Sequence, residues 1–380
     1  MKTKVLLLST SLGMGGADRQ IVYLANALLN HQYEVRLVSM TPLEEMGRQA
    51  VAEGLPVTSL NMERGQADWQ AFRRLVNQLR EWRPHLLTSF MYHANLMGRL
   101  AGRWAGVPLV VTSIRSERHG SAGRDWAMRL TNWMDHCQTT NSRQVADSLT
   151  QRGLLSANKV SVIPNGVDVE ALTASAAEGA RTRAELGLQP AEFVWLAIGR
   201  LLPQKDYPTL LNAIASLAGS PARLLIAGRG PLLGELQQQA ERLGVASHVT
   251  FLGVRQDIAA LLAAADGFVL SSAWEGMPNV VMEALAAARP VVSTRVGGVA
   301  ELVQDGETGW LVPAGDSKAL SQAMHQLMRL PLERRQRMGM AGRNYLRAHY
   351  GLEAMAERWM ALYSELLVRS ASRSSAVLSR

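Results

Sequence analysis

A chain of 380 residues exceeds the usual size of one domain, so two domains are expected. Hydrophobic residues make up 47% and charged residues 19%, which excludes a disordered chain, and the single cysteine, Cys137, excludes a disulfide scaffold. The net charge is +8, and residues 1–165 hold 19 basic and 12 acidic side chains, a field that favours an anionic partner without choosing among nucleic acid, anionic lipid and a phosphorylated substrate.

Apolar runs of strand length alternate with longer helical patterns through the first half of the chain. The runs are apolar on both faces and are separated by helical segments such as Trp69–Trp82, a pattern typical of a parallel sheet covered on both sides. The predicted strands are Val5–Leu8, Val35–Ser39, Val57–Leu60, Leu86–Phe90, Leu109–Ser113, His136–Thr140 and Val160–Ile163. This half predicts one doubly wound α/β domain.

A second strand series follows the turn formers at Pro164–Asp168. Its strands are Phe193–Ile198, Leu224–Ala227, Val249–Leu252, Phe268–Ser271, Val291–Thr294 and Trp310–Val312. We therefore predict two domains of α/β class, residues 1–168 and 169–350, each with its own doubly wound sheet.

The remaining features of the chain concern its ends. Gly351–Leu367 is an amphipathic helical segment, and the Ser/Arg-rich tail 370–380 is expected to fray. No apolar run reaches the roughly 18 residues of a membrane span. The apolar run after Met1 fits a first strand and not a signal peptide, so we expect a cytoplasmic protein.

Ligands of open α/β sheets bind beyond the carboxyl ends of the strands, which directs attention to the loops there. The first loop carries Gly13, Gly15 and Gly16 before a helix, where backbone amides favour an anion; a plain tight turn is the alternative. Gly297 and Gly298 follow a later strand and indicate either a backbone approach to a ligand or a simple turn.

Two cations stand on the loop after the strand Phe193–Ile198. Arg200 and Lys205 lie within seven residues that start at Gly199. A guanidinium and an ammonium together can neutralise a diphosphate leaving group. The alternative is a pair of solvated surface cations.

The loop after Phe268–Ser271 is the richest in chemistry. Glu275 precedes a predicted helix, and Glu283 lies about two turns inside it among apolar neighbours, which predicts its burial. Carboxylates that accept hydrogen bonds from hydroxyls are a usual means of holding a sugar or a ribose. Pro278 suits the first helical turn, and the amides of Asn279 and Val280 are placed to meet a phosphate.

These residues resemble the retaining glycosyltransferases of family 4. The resemblance rests on Arg200 and Lys205, on the spacing from Glu275 to Glu283, and on further motifs in the expected order: Gly276-Met277-Pro278-Asn279, Gly15-Gly16-Ala17, Ile163–Asp168, Gly253 and Val296-Gly297-Gly298. Met91–Leu100 and Ser113–Arg115 are similar to the branch that builds O-antigen, capsule and exopolysaccharide.

The resemblance implies a GT-B architecture, in which two Rossmann-like domains face a cleft. Residues 1–168 would bind the acceptor, with the helix 351–367 packing back on them, and residues 169–350 would bind the nucleotide sugar. Arg200 and Lys205 would hold the donor diphosphate, Glu283 the ribose and Glu275 the sugar hydroxyls. The remaining implied donor contacts are Gly15, Gly16, Gly253, Val254, Arg255, Gly276, Met277, Pro278, Asn279 and Val280.

One departure from the family concerns the histidine that many relatives carry after the fifth strand. Here Arg115 is the nearest polar substitute, and His93 on the preceding loop is the other candidate for a catalytic role. The alternatives are a surface cation for Arg115 and a packing histidine for His93.

The sequence and the resemblance together predict a metal-independent, front-face transfer of a hexose from a nucleotide sugar, with UDP favoured, to a lipid-linked saccharide. No Asp-x-Asp element is present, and no cofactor or metal is expected. The basic amphipathic segments Trp69–Arg83 and Arg124–Trp133 favour peripheral attachment of the amino-terminal domain to the inner face of an anionic plasma membrane. A nucleotide-sugar epimerase and a non-catalytic nucleotide-sugar-binding protein are the alternatives, whereas no motif supports nucleic-acid binding.

Overall fold

The computed structural model describes residues 2–13, 15–117, 120–217 and 219–378, with side chains described as far as residue 372. The chain divides into two compact units, Met1–Gly166 with Leu352–Arg380, and Val167–Gly351. The division falls two residues before the end of the predicted first domain, 1–168.

The first unit contains a parallel sheet with seven strands among the described residues, in the order β3-β2-β1-β4-β5-β6-β7. Its strands are β1 (Lys4–Ser9), β2 (Glu34–Ser39), β3 (Val57–Ser59), β4 (Leu86–Phe90), β5 (Leu109–Ile114), β6 (Cys137–Thr140) and β7 (Val160–Val162). Each predicted strand of this half is found within a residue or two of its predicted bounds. The central strands are buried on both faces, which explains their continuous apolar runs.

Helices cover both faces of this sheet. They are α1 (Gly16–Asn30), α2 (Glu45–Ala52), α3 (Trp69–Trp82), α4 (Tyr92–Ala105), α5 (Ala122–Thr131), α6 (Arg143–Gln151) and α15 (Leu352–Leu378). Helix α15 returns to this unit as predicted and buries Met355, Trp359 and Tyr363 in its core. The helix continues to Leu378, into the tail 370–380 that was expected to fray, and no glycine or proline interrupts it after Leu352.

Helix α3 shows why its apolar stripe cannot meet a membrane. Leu75, Val76 and Leu79 are buried against the sheet in one cluster with Leu6 and Leu87. The stripe is therefore core, and the outward face of α3 carries its exposed arginines.

The second unit contains a parallel sheet whose six described strands run in the order β10-β9-β8-β11-β12-β13. They are β8 (Phe193–Ile198), β9 (Ala222–Ala227), β10 (Val249–Gly253), β11 (Gly267–Leu270), β12 (Val291–Thr294) and β13 (Gly309–Val312). The helices are α7 (Ala176–Glu185), α8 (Tyr207–Ala215), α9 (Leu233–Arg242), α10 (Ile258–Ala264), α11 (Asn279–Ala286), α12 (Val299–Leu302), α13 (Ser317–Arg329) and α14 (Leu332–Tyr350). Separate apolar clusters fill the two faces, so this unit is doubly wound as predicted.

The strand orders fix where each unit places its loops. The order reverses between β1 and β4 in the first unit and between β8 and β11 in the second. Loops leave the sheet in opposite directions at such a point and open a crevice between them. Across the described residues, no helix combines the length and the apolar content that spanning a membrane requires.

Candidate active site

The loops after β8 and β11 are fastened to each other at the switch point of the second unit. The Ser271 hydroxyl donates to the Lys205 carbonyl at 2.8 Å, and the Ala273 amide donates to the Gln204 carbonyl at 2.8 Å. Asp206 has a left-handed backbone (φ 45°) and caps α8 by accepting from the Thr209 hydroxyl at 2.7 Å. The backbone on both sides of the crevice is thereby held in one geometry.

The best-defined charged group of this site is an ion pair between Lys205 and Glu275. The Lys205 Nζ and the Glu275 Oε1 are 2.5 Å apart, and the two side chains are only 14% and 7% exposed. The Ser272 hydroxyl donates to the same Oε1 at 2.7 Å, and the Gln204 Nε2 donates to Oε2 at 3.2 Å. Both carboxylate oxygens are thus held by donors, which fixes the carboxylate before any ligand arrives.

The sequence predicted that Lys205 and Glu275 lie at one sheet edge, but it did not predict that they pair. It also missed Gln204 and Ser272, which hold the Glu275 carboxylate in place. The signal for Gln204 was its position directly before Lys205 on the same loop. Nothing in the spacing of Ser272 distinguished it from any other strand-end serine.

Arg200 and Tyr207 flank the pair on the β8 loop. Arg200 is exposed, so its guanidinium is open to a ligand. Tyr207 is buried and donates its hydroxyl to the Gly199 carbonyl at 3.2 Å. Burial, with a smaller contribution from the Glu275 charge, raises the pKa of Tyr207, so the phenol stays protonated and keeps donating.

Helix α11 supplies the second carboxylate and an amino-terminal turn. The helix begins at Asn279, directly after Pro278, and the amides of a first helical turn have no intrahelical acceptor. Glu283 is 5% exposed, so its predicted burial is confirmed. Gly276, Met277 and Pro278 are buried in the loop that joins Glu275 to the helix.

Gly297 packs closely against the loop that carries Glu275. Its φ is +50°, and a Cβ there would collide with the Glu275 carbonyl oxygen and lie 2.6 Å from the Gly276 carbonyl oxygen. The Gly298 amide donates to the Gly276 carbonyl at 2.5 Å. The neighbour that Gly297 approaches in the structure is therefore the Glu275 loop itself and not an open ligand space.

Two glycines after β9 were missed by the sequence reasoning. A Cβ at Gly228 would collide with the Gly199 carbonyl, and one at Gly230 with the Leu201 backbone. The signal was a Gly-x-Gly pattern directly after a strand. These close approaches allow the β9 loop to support the loop that carries Arg200.

The segment Gly253–Arg255, expected to read the base, follows β10 at the edge of the sheet. Gly253 is in the left-handed region (φ +67°), and its carbonyl accepts from the Gly228 amide at 2.7 Å. Val254 is exposed, and the Arg255 guanidinium holds Asp257 through two hydrogen bonds. That pairing lowers the pKa of Asp257, so the pair stays charged at neutral pH.

In the first unit, the loop that carries Gly13, Gly15 and Gly16 binds a carboxylate of the same chain. We refer to this loop as the glycine loop. The amides of Gly13 and Gly15 donate to the Asp18 Oδ2 at 3.1 and 3.2 Å. In this structure the Asp18 carboxylate therefore holds the two amides that were expected to meet an anion. Burial raises the pKa of Asp18 to about 6, with the Gly15 and Gly13 amides opposing the rise and Glu44 adding to it.

The raised pKa of Asp18 predicts a pH-dependent stability. The folded state binds the proton more tightly than the unfolded state, so the free energy of unfolding falls as pH rises from 4 to about 6, by about 3 kcal/mol. Asp18→Asn removes this titration, so the variant should gain about 3 kcal/mol relative to the parent between pH 4 and pH 7. Urea unfolding at several pH values measures the difference, with Asp257→Asn as a control whose carboxyl pKa is not raised. Parallel pH profiles for Asp18→Asn and the parent would contradict the assignment.

His93 lies in the first turn of α4 and not on the preceding loop as expected, and the residue before the helix has a strained backbone. That residue is Met91, with φ 73° and ψ 163°, a backbone conformation that residues other than glycine rarely adopt. The turn is held because the Asn95 side-chain Nδ2 donates to the Ser113 carbonyl at 2.9 Å and the Ala94 backbone amide donates to the Thr10 hydroxyl at 3.2 Å. Desolvation and the nearby Arg124 lower the pKa of His93, which favours the neutral imidazole.

Arg115 is anchored, so the alternative of a free surface cation is wrong. Its Nη1 donates to the Asn165 side-chain oxygen at 2.8 Å, and its guanidinium lies 4.9 Å from the ring centre of Phe90. Burial lowers the pKa of Arg115 to about 10, which leaves it charged at neutral pH. The arginine is thus a fixed positive charge at the carboxyl end of β5.

In the part of the chain that the structure describes, no group of three or more His, Cys, Asp or Glu side chains is arranged to hold a metal ion.

Comparison with known proteins places this geometry in a family. Residues 192–329 match the model for glycosyl transferases group 1, and residues 14–171 match the model for Glycosyltransferase Family 4. The chain is similar to the UDP-Gal:alpha-D-GlcNAc-diphosphoundecaprenol alpha-1,3-galactosyltransferase of Escherichia coli, at 26% identity over 82% of this chain and 84% of the relative. It is 30% identical to the lipopolysaccharide core biosynthesis glycosyltransferase LpsE of Rhizobium meliloti, over 63% of this chain and 67% of the relative.

A solved structure shares the fold over almost its whole length. Alr3699/HepE of Anabaena, crystallised with UDP and glucose, superposes with a TM-score of 0.86 at 24% identity, over 95% of this chain and 99% of that one. The predicted class of two Rossmann-like α/β domains of GT-B type is confirmed. The family models, the relatives and the paired Lys205 and Glu275 lead to one conclusion: the chain belongs to the family 4 glycosyltransferases.

Proposed function

We propose that this glycosyltransferase moves a hexose from a UDP-sugar to a lipid-linked saccharide in surface-polysaccharide assembly, with retention of the anomeric configuration. The observation that carries the proposal is the Lys205–Glu275 pair, fixed at the β8/β11 switch point beside the first turn of α11. A cation for the leaving group and a carboxylate for sugar hydroxyls are held together before the ligand binds.

The donor contacts follow from this arrangement. Lys205 keeps two of its three N–H donors for the diphosphate while the third holds Glu275. The exposed Arg200 closes on the other phosphate oxygens, and the first amides of α11 meet the phosphate nearest the helix. Glu283 accepts from the ribose hydroxyls, and the backbone of Gly253–Arg255 reads the base.

The chemical step is a front-face substitution. The acceptor hydroxyl oxygen bonds to the anomeric carbon as the bond to the diphosphate breaks on the same face, and the hydroxyl proton passes to the leaving phosphate oxygen. Arg200 and Lys205 stabilise the charge that develops on the diphosphate, so no metal ion is required. In the first unit, Arg115 and His93 are the candidates for the polar group that replaces the family's histidine, beside the loop of Gly15 and Gly16.

The choice of UDP and of a lipid-linked acceptor draws on the relatives. The Escherichia coli relative is named for UDP-galactose and a diphosphoundecaprenol acceptor, and the Anabaena structure contains UDP and glucose. Such an acceptor is held at a membrane, so we place the enzyme in the cytoplasm, peripheral on the inner face of that membrane.

Donor binding is tested by thermal unfolding with UDP, GDP and ADP. UDP at 100 times its dissociation constant should stabilise the chain by about 2.7 kcal/mol, a shift of several degrees in Tm. Glu283→Gln should lose most of the shift, because one of the two charged acceptor oxygens offered to the ribose hydroxyls becomes an NH2 donor and the other becomes neutral. Glu241→Gln, an exposed carboxylate on α9, is the matched control. A larger shift with GDP or ADP would overturn the choice of base.

Transfer is tested with UDP-sugars and a polyprenyl-diphosphate saccharide in the presence of EDTA. The expected product keeps the anomeric configuration of the donor, which the proton coupling at the anomeric carbon measures. An inverted product, loss of transfer in EDTA, or sugar conversion without an acceptor would each refute the proposed reaction.

A further inference from the structure

Among the residues that the structure describes, the exposed tryptophans lie on neighbouring helices of the first unit. In the described chain, the tryptophans with exposed side chains are Trp69 and Trp104, each 60% exposed, and Trp126 and Trp133, each 63% exposed. They lie on α3, α4, α5 and the turn after α5, and α4 packs between α3 and α5. Leu100 and Leu130 are exposed on the same helices. We refer to these six residues, with Phe72, as the tryptophan surface.

Three rings of this surface contact one another in spite of their exposure. Trp69 stacks on Phe72 with ring centres 5.0 Å apart. Trp104 meets both rings edge-on, at 6.2 and 6.1 Å. An aromatic group that spans two helices and stays open to solvent is costly for a protein in water, and such a patch marks an interaction site.

Positive charge is concentrated on the same stretch of chain. Residues 69–133 contain ten arginines, no lysine and three acidic residues, whereas the other residues of 1–165 hold nine basic and nine acidic side chains. The Arg103 guanidinium lies 5.9 Å from the ring centre of Trp133, and the Arg80 Nη2 donates to the Trp104 carbonyl at 3.1 Å. Of these arginines, Arg99 is buried against Asp135 and Arg115 is bound to Asn165, whereas Arg80 and Arg103 are exposed and contact residues of the tryptophan surface.

We propose that the tryptophan surface docks the first unit on an anionic lipid bilayer. Indole rings are amphipathic and settle at the level of the lipid headgroups, while the surrounding arginines pair with lipid phosphates. The apolar stripe of α3 is used in the core, so the attachment is made by projecting rings and not by a helix lying in the bilayer. A second copy of the chain is disfavoured as occupant, because it would bring arginine against arginine.

This inference rests on the proposed function in one respect. The proposed function supplies the reason for attachment, namely an acceptor held in the membrane. The binding assay itself uses neither donor nor acceptor. A chain that binds anionic vesicles but transfers no sugar would sink the proposed function alone, and a chain that transfers sugar but binds no vesicles would sink this inference alone.

The test is co-sedimentation of the full chain with vesicles of phosphatidylcholine containing one part in three of phosphatidylglycerol, against vesicles of phosphatidylcholine alone. We expect binding to the anionic vesicles, weakened by added salt because exposed charges are screened. Trp69→Ala with Trp104→Ala should lower the partition coefficient at least about tenfold, since two large apolar groups leave the interface. Leu332→Ala with Met340→Ala, exposed apolar residues on α14 of the second unit, should leave it unchanged.

A second pair of variants isolates the charge. Arg80→Gln with Arg103→Gln should weaken binding several-fold per charge, whereas Arg334→Gln with Arg337→Gln on α14 removes the same charge and should have little effect. An unchanged Tm shows that each variant is folded. Absence of binding to the anionic vesicles, binding indifferent to the tryptophan pair, or a lipid-free dimer that this pair dissociates would each overturn the proposal.

Discussion

Replacing Lys205 by alanine should lower kcat/KM by about 10²–10³, the usual effect of removing one preorganised charged donor. The ammonium stabilises charge that develops on the leaving diphosphate, so the loss should appear mainly in kcat. Steady-state transfer with saturating acceptor measures it. The same substitution also removes the partner of a carboxylate whose side chain is only 7% exposed.

That second effect predicts a stability change that can be separated from the first. Removing one member of a buried ion pair costs about 3–5 kcal/mol, because the other charge stays buried. Ser272 and Gln204 still donate to Glu275, so the lower end of this range is expected. Lys205→Ala with Glu275→Gln should recover most of the lost free energy of unfolding and none of the activity.

Arg200→Ala provides the matched comparison on the same loop. Its guanidinium is exposed, so the substitution should lower kcat/KM by about 10²–10³ with no change in Tm. Near-parental turnover of both single variants would show that the diphosphate is not held by this loop. A double variant that recovers activity together with stability would show that Lys205 is structural.

The sequence predicted the strands of both sheets because buried parallel strands leave continuous apolar runs. It also predicted which loops matter, since the carboxyl ends of those strands are fixed once the topology is known. It could not predict that Lys205 and Glu275 pair, because residues 70 positions apart meet only through the hydrogen bonds that fasten their loops. For the same reason, the sequence did not predict that Ser272 and Gln204 donate to Glu275.

The helical periodicity of the sequence did not show whether an apolar stripe packs in the core or faces a membrane. The stripe of α3 indicated an amphipathic helix, but a stripe facing a membrane and a stripe facing a sheet have the same spacing. The exposure of Trp69 depends on what packs nearby, and its neighbour Trp104 belongs to another helix.

The contact between Asp18 and the glycine loop was also not predicted. A signal for it was present, because Asp18 lies three residues after Gly15 at the start of a helix, where capping residues occur.

Each unit uses its switch point differently. In the second unit the crevice is built around a charge pair whose lysine keeps donors for a ligand. In the first unit the Gly13 and Gly15 amides donate to Asp18, and the fixed cation Arg115 stands farther along the sheet, directly after β5. The two halves share a fold and a loop position, and the proposed diphosphate contacts belong to the second.

Gly297→Ala should disrupt the Glu275 loop and with it the activity. A Cβ at this position collides with the Glu275 carbonyl oxygen, and φ is +50°, so the loop must shift to accept the side chain. A displacement of about 1 Å at positioned groups costs about 10²-fold in rate. We expect kcat/KM to fall by about that factor, with a loss of at least about 1–2 kcal/mol of stability from the left-handed backbone.

Gly306→Ala separates the backbone cost from the collision. Gly306 also has a positive φ, +82°, but a Cβ there meets nothing within 4 Å. This variant should lose about 1–2 kcal/mol of stability and keep its kcat/KM. The contrast assigns the activity loss of Gly297→Ala to displacement of the carbonyl and carboxylate of Glu275. Equal activity in the two variants would mean that the Glu275 loop tolerates displacement and does not position the sugar.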